Sequence, residues 1–169
     1  MATTFEAIAT VTVGAGGAAN IDFTSIPGTY TDLLIKISAR NNDTAGAGNI
    51  LIGFNSSTSN FTNKFLQGSG SSTGSSSVLQ MIGDMDTDAE TANTFNNIEV
   101  YIPNYASSNN KSLSSDSVME NNAATAYQML TANLWSDSAA ITSIQLTNRT
   151  AGKNFKQHST ATLYGIKNS

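Results

Sequence analysis

Alternation of apolar and polar residues at every second position is the feature of this sequence that most limits its fold. In segment 5–13 every odd position is apolar, from Phe5 to Val13, and most even positions are polar. Six further segments alternate in the same way, at 21–24, 32–40, 50–54, 97–102, 143–147 and 160–166. Successive side chains of a β-strand point to opposite faces, so each segment predicts a strand with one buried face. The sequence therefore predicts an all-β protein.

Weaker strand candidates fill much of the remaining chain. They are Phe61–Gln67, Val78–Gly83, Leu113–Glu120 and Tyr127–Trp135. Many short strands separated by turn signals such as Pro27-Gly28 predict an antiparallel β-sandwich, jelly-roll-like, with about eight to ten strands. Over Asn121–Trp135 a helix stays open as the alternative to a strand, because Tyr127, Leu130 and Leu134 also fit helical spacing.

The chain is expected to form a single domain over residues 1–169, since this length is enough to bury one core. The predicted core is Phe5, Val11, Ile21, Phe23, Leu33, Ile35, Ile37, Ile52, Ile98, Val100, Leu134, Ile144 and Leu163. Gly14–Gly17 is predicted to be a hairpin turn. Residues Gly68 to Ser77 are all Gly, Ser or Thr, which predicts a flexible surface loop.

The polar residues are mostly uncharged, and this bears on function. Sixty-two of the 169 residues are Ser, Thr or Asn, whereas only 12% are charged and the chain has one His and no Cys. An average soluble protein has about 25% charged residues. Hydroxyl and amide groups need an activating partner for catalysis, and such partners are scarce here. We therefore predict a binding or structural protein, not an enzyme, that uses no cofactor.

The charge and hydropathy of the chain limit the classes of partner that it is expected to have. The net charge is −4, and the eight Lys and Arg residues are scattered, so no nucleic-acid partner is expected. No run of about 18 apolar residues occurs, so no membrane-spanning helix is expected. The first residues, Met1–Glu6, lack the basic start and apolar stretch of a secretory signal.

The densest acidic segment, 84–90, contains the weak calcium candidates Asp84, Asp86 and Asp88. Alternating carboxylates can supply oxygen ligands to calcium. An EF-hand loop starting at Asp84 would need Gly and Glu where Ala89 and Phe95 stand, so that motif is excluded. A calcium site of another kind and a solvated acidic loop both remain open.

Catalytic and sugar-binding arrangements are weakly supported. His158 would be the base of a hydrolytic triad, but no Gly-x-Ser-x-Gly motif accompanies it, and a surface histidine is expected instead. The carboxylates that could form a glycosidase pair are dispersed: Glu6, Glu99, Asp116, Glu120 and Asp137. The aromatic residues that could stack on sugars, or simply anchor strand ends, are Tyr30, Tyr101, Tyr105, Tyr127, Tyr164 and Trp135.

Three groups of motifs carry a family resemblance. The first is Phe5-Glu6-Ala7-Ile8-Ala9-Thr10 with Gly14–Gly17 and Ile26-Pro27-Gly28-Thr29-Tyr30-Thr31-Asp32-Leu33. The second is Ile98-Glu99-Val100-Tyr101-Ile102-Pro103-Asn104-Tyr105. The third joins Leu134-Trp135-Ser136 and Ala140–Ile144 to Ala161-Thr162-Leu163-Tyr164-Gly165-Ile166. Together they resemble small virion structural proteins of tailed bacteriophages, especially marine and cyanobacterial phages. The segment from about Thr58 to Asp88 has no counterpart.

The resemblance implies a structural role in the virion, with no catalytic residues to transfer. We expect a capsid decoration, or cement, protein that is made in the host cytoplasm and binds the capsid exterior. Its partner would be the major capsid protein, and it would form a homo-oligomer, for which a trimer suits the local symmetry of a shell. The alternative is a tail-associated adhesin that binds host-surface glycans.

Overall fold

The structure, a computed structural model, describes residues 4–122 and 126–167, and within them it contains strands and no helix. The first six strands are β1 (Phe5–Thr12), β2 (Asn20–Phe23), β3 (Asp32–Ser38), β4 (Gly48–Phe54), β5 (Phe61–Gly68) and β6 (Thr73–Ser76). The other six are β7 (Met81–Met85), β8 (Asn97–Ile102), β9 (Lys111–Met119), β10 (Tyr127–Trp135), β11 (Ile144–Asn148) and β12 (Thr160–Ile166). The prediction of an all-β protein is confirmed.

The strands form two antiparallel sheets that pack into a sandwich. The larger sheet has eight strands in the order β1-β12-β3-β8-β9-β10-β5-β6, and the smaller has four in the order β2-β11-β4-β7. Early strands pair with late ones in a nested way: β1 with β12, β2 with β11, β3 with β8 and β4 with β7. This nesting is compatible with the predicted jelly-roll type. The hairpins β5–β6 and β9–β10 are additions that widen the larger sheet on one side.

The core lies between the two sheets, where the inward faces of the alternating strands meet. Most predicted core residues are fully buried: Ile21, Phe23, Leu33, Ile35, Ile37, Ile52, Ile98, Val100, Ile144 and Leu163. Val11 is half-buried and packs against this core. The sequence periodicity therefore predicted the inward face of the central strands correctly.

Two predicted core residues are wrong, each for a local reason. Phe5 is 55% exposed, because the register of β1 against β12 shifts between Ala7 and Ala9. This β-bulge interrupts the alternation on which the prediction rested. Leu134 is only half-buried, because its neighbour Trp135 occupies the inward position at the end of β10.

Three further expectations need correction. The turn containing Gly14–Gly17 is no hairpin, because β1 and β2 lie in different sheets. Twelve strands are present in the described residues, more than the predicted eight to ten. The predicted loop Gly68–Ser77 is wrong at both ends, since β5 runs to Gly68 and Thr73–Ser76 is β6. Cross-strand pairing with β5 explains how this Gly/Ser segment becomes a strand without any apolar face.

The helical alternative for Asn121–Trp135 is also wrong, because Tyr127–Trp135 forms strand β10. Residues 123–125 of that segment lie outside the described residues. Strand β10 pairs with β9 on one side and β5 on the other, so both of its edges are hydrogen-bonded.

Candidate functional site

The outer face of the larger sheet extends over its eight strands, and the strand register fixes which residues lie on it. One cross-strand row runs across the whole sheet through Ser75, Leu66, Leu130, Asp116, Glu99, Lys36, Thr162 and Thr10. Leu66 and Leu130 are directly opposite each other and are 64% and 54% exposed. Large apolar side chains so exposed and adjacent are candidates for a contact surface.

Hollows lie on one half of this face, over β8, β9, β10, β5 and β6, and we call that half the concave face. The two largest have volumes of about 580 and 680 Å³ and share Leu66, Ser75 and Leu130. They exist because β6 carries only small side chains, Thr73 to Ser76, beside the bulkier leucines. β6 thus forms the low floor of these two hollows, and Leu66 and Leu130 form a wall.

Two smaller hollows complete the concave face. One of about 300 Å³ is lined by Glu99, Tyr101, Asp116 and Leu130 among others. Another of about 310 Å³ includes Val118, Glu120, Tyr127 and Gln128 in its lining. Leu130 lines three of the four hollows and stands near the centre of the surface.

The inner side of the same strands holds this face in place through hydrogen bonds to β7. The amide nitrogens of Asn63 and Asn133 each donate to the Met81 carbonyl at 3.0 Å. The Ser115 hydroxyl donates to the Ile82 carbonyl at 2.7 Å and is also bonded to the Thr131 hydroxyl. We call Asn63, Ser115, Thr131 and Asn133 the polar seam. All four are buried, and they occupy an edge of the smaller sheet that would otherwise have unpaired carbonyls.

The structure does not bring the three calcium candidates together. Asp84 is buried in β7, where it accepts a hydrogen bond from the Asn49 amide. Burial raises the pKa of the Asp84 carboxyl to about 6 from its ordinary value of 3.8. Asp86 is also buried and accepts from the Asn121 amide at 2.7 Å. No group of three or more His, Asp or Glu side chains in the described ranges is placed to hold a metal ion.

Asp88, the third candidate, belongs to an ion-paired cleft between loops. Its Oδ1 lies 2.6 Å from the Lys156 Nζ and 3.7 Å from the Arg40 Nε. The buried Arg40 also donates to the carbonyls of Thr91 and Thr94, so it organises the β7–β8 loop. Arg40 and Lys156 are thus already paired with groups of the same chain.

His158 lies at the mouth of this cleft of about 320 Å³ and is exposed, as expected for a surface histidine. Its backbone has a positive φ of 75° and its N–H donates to the Val13 carbonyl at 3.0 Å. The neighbouring Ser159 is buried and bonded to Arg40, so the hydroxyl next in sequence is held inside.

The aromatic candidates do not converge. Trp135 and Tyr105 are fully buried, so neither ring is available to a sugar. Tyr101 is 38% exposed on the concave face, and its hydroxyl donates to Asp32 at 2.8 Å. Tyr127 lines a different hollow.

Among the dispersed carboxylates, the fold does pair Glu99 with Asp116 across β8 and β9. Glu99 is ion-paired with Lys36, and both of those side chains are about half exposed. Glu99 and Asp116 therefore lie on an open surface beside Tyr101 and Leu130 and not in an enclosed catalytic cleft.

Sequence reasoning missed Leu66 and Leu130, the main residues of the concave face. The alternation in β10 could have indicated Leu130, because its neighbours Met129 and Thr131 face inward and Leu130 therefore faces outward. The pairing of β10 with β5, which brings the two leucines together, cannot be obtained from periodicity.

No helix in the described part of the chain is long and apolar enough to cross a membrane. No protein-family model matches this sequence. No curated protein matches it either. The resemblance to phage virion proteins therefore stays a prediction that rests on the motifs of the sequence.

Proposed function

We propose that this protein is a structural protein of a bacteriophage virion, a capsid decoration protein that binds the exterior of the assembled head through the concave face. The observation that carries this proposal is the exposed pair Leu66 and Leu130 on neighbouring strands of the concave face, near the β6 edge of the larger sheet. Motif resemblance supplies the phage context, and the major capsid protein is the corresponding partner.

The size of the outer face supports a protein partner. The whole outer face, with eight strands about 4.8 Å apart and about 20 Å long, presents roughly 700 Å², of which the five strands of the concave face contribute roughly 450 Å². A standard protein interface buries about 800 Å² on each partner. Lys36 and Glu99 neutralise each other on this face, which lowers the cost of removing it from water.

Stabilisation would follow from mass action. A protein that binds only the assembled shell stabilises it by RT ln(1 + [L]/Kd) per site, about 2.7 kcal/mol at a hundred times Kd. A trimer would multiply the contacts at each position. This role involves no cofactor, no nucleic acid and no membrane.

The test is the rebinding of purified protein to phage heads that lack it. Wild-type protein is expected to bind in copies on the order of hundreds per head and to raise the temperature of DNA release. Leu130→Asp should abolish binding without unfolding the protein, because a charge replaces an exposed apolar contact. Leu79→Asp is the matched control, since Leu79 is 61% exposed and lines none of the four hollows.

Binding of only a few dozen copies at the tail would contradict the proposal. So would heads that lack the protein yet retain full resistance to heat. A glycan-binding adhesin is the second candidate, favoured by Tyr101, Glu99 and Asp116 around one hollow. Glycan-array binding that is lost in Tyr101→Ala would support the adhesin instead.

A further inference from the structure

Strand β6 (Thr73–Ser76) is a free edge of the larger sheet. It pairs with β5 on one side, through the register Leu66↔Ser75 and Gln67↔Gly74, and no described strand pairs with its other side. All four of its residues are exposed. The outer backbone groups of β6 are therefore available to another strand.

A trough runs along this edge on the concave face. Its floor is Gly74, Ser75 and Ser76, and its wall is formed by Leu66 and Leu130. Because the floor residues are so small, a large side chain from an added strand could lie over β6 and reach the leucines. In an extended chain every second side chain points to the same face, so alternate residues of an added strand can supply such side chains.

The trough has one charged lining residue, Lys64, at the end near Ser77. Lys64 is exposed, and the described residues provide it with no ion pair within 4.0 Å. In a chain with net charge −4, this single cation favours an acidic group on the ligand at that end.

We propose that β6 binds an extended segment of a partner protein as an added strand. Large apolar side chains at alternate positions of the segment occupy the trough against Leu66 and Leu130, and an acidic side chain on the same face of the segment pairs with Lys64. Main-chain hydrogen bonds to β6 supply affinity, and the trough and Lys64 supply specificity.

A second copy of this chain fits the trough poorly. The β6 strand of a second copy carries only Thr, Gly and Ser, so edge-to-edge pairing of two β6 strands would bring no large apolar side chain to the trough and no acidic group to Lys64. The other edge strand of the larger sheet, β1, is distorted by the bulge between Ala7 and Ala9, a feature that discourages strand pairing. The occupant is therefore an arm or loop of a different protein.

This inference deepens the proposed function by naming the kind of shell-protein segment that would bind. Strand binding itself can be tested without particles, so the two can fail separately. The probes are two acetylated, amidated heptapeptides with threonine at odd positions. One has leucine at positions two and four and glutamate at six, and the other has the reverse order, because either strand direction can satisfy Lys64.

Fluorescence anisotropy of labelled peptides with the full chain is expected to show saturable binding of one peptide. Leu66→Ser should weaken it about tenfold or more, the loss expected when a leucine contact is removed. Ser75→Tyr should also block it, by filling the trough without removing a contact. Lys64→Gln should weaken binding and reduce its dependence on salt. Leu79→Ser, at an equally exposed leucine outside the trough, should change nothing.

Two observations distinguish an added strand from simple apolar adhesion. N-methylation of alternate peptide amides should abolish binding, because it removes main-chain donors, and the amide resonances of Gly74 and Ser75 should shift on titration of the unmodified peptide. The proposal is overturned if neither peptide binds at millimolar concentration, if the methylated peptide binds equally well, or if Leu79→Ser weakens binding as much as Leu66→Ser.

Discussion

Buried asparagine, serine and threonine side chains hold the two sheets of this protein in register. The polar seam of Asn63, Ser115, Thr131 and Asn133 faces inward from the larger sheet and bonds to β7. The seam could not be found from the sequence, because periodicity shows which side chains share a face but not which of them lie within hydrogen-bonding distance of a backbone carbonyl.

Replacing one member of the seam should be costly. Asn133→Ala removes a donor to the Met81 carbonyl and the acceptor of the Asn63 amide. The free energy of unfolding should fall by about 2 kcal/mol, because a buried polar partner is left unsatisfied. Urea denaturation measures the change. Gln128→Ala, on the exposed face of the same strand, is the control and should stay within about 0.5 kcal/mol of wild type. Equal effects of the two changes would contradict a structural role for the seam.

Asp84 makes stability depend on pH. Its folded-state pKa of about 6 lies above its ordinary value of 3.8, so the folded protein binds this proton more tightly than the unfolded chain. The stability that protonation contributes is present below pH 3.8 and is lost as the pH rises through 6. Asp84→Asn removes this loss and should stabilise the protein at pH 7 by up to about 3 kcal/mol.

Melting curves of the wild type and Asp84→Asn at pH 4 and pH 7 test this expectation. The stability advantage of Asp84→Asn over the wild type should be larger at pH 7 than at pH 4. The exposed Asp116→Asn serves as the matched control and should shift stability by no more than about 0.5 kcal/mol. An advantage of Asp84→Asn that is the same at both pH values would refute the assignment.

Strands whose sequence alternates fully were predicted well, and those that depend on a partner were not. β10 lies where the weaker candidate Tyr127–Trp135 was placed, but β7 begins at Met81, three residues after the start of the candidate Val78–Gly83. β6 was missed, because its Gly and Ser residues have no preference for a strand and only pairing with β5 makes it one. The phase of β1 was missed because a bulge leaves no mark in the apolar pattern.

The close packing of β12 against Tyr30 gives a test at the scale of an element. A methyl group on the buried Gly165 would overlap the Tyr30 ring. Gly165→Ala should therefore lower the free energy of unfolding by about 2 kcal/mol, the usual cost of overpacking. Gly68→Ala, in β5, meets no atom within 4 Å and should be close to neutral. Chemical denaturation distinguishes the two, and a variant at 165 as stable as wild type would show that the ring can move aside.

For the whole molecule, the sandwich class could be predicted and the arrangement of its sheets could not. Alternating segments required paired strands, and an apolar face on each required a second layer. The sequence offered no means of telling that the hairpins β5–β6 and β9–β10 would both join the larger sheet. The concave face arises from that choice, so the candidate site was outside the reach of sequence reasoning. The sequence instead offered the acidic segment 84–90 as a candidate calcium site, but its carboxylates have separate partners in the fold.

The nested strand order also has a consequence for biosynthesis. β12 (Thr160–Ile166) lies between β1 and β3, so the first strand made has no neighbour in its sheet until residues 160–166 have left the ribosome. Closure of the larger sheet around β1 and β3 therefore waits for the synthesis of β12. Until then β1 and β3 each present an unpaired edge, which exposes the growing chain to misassociation.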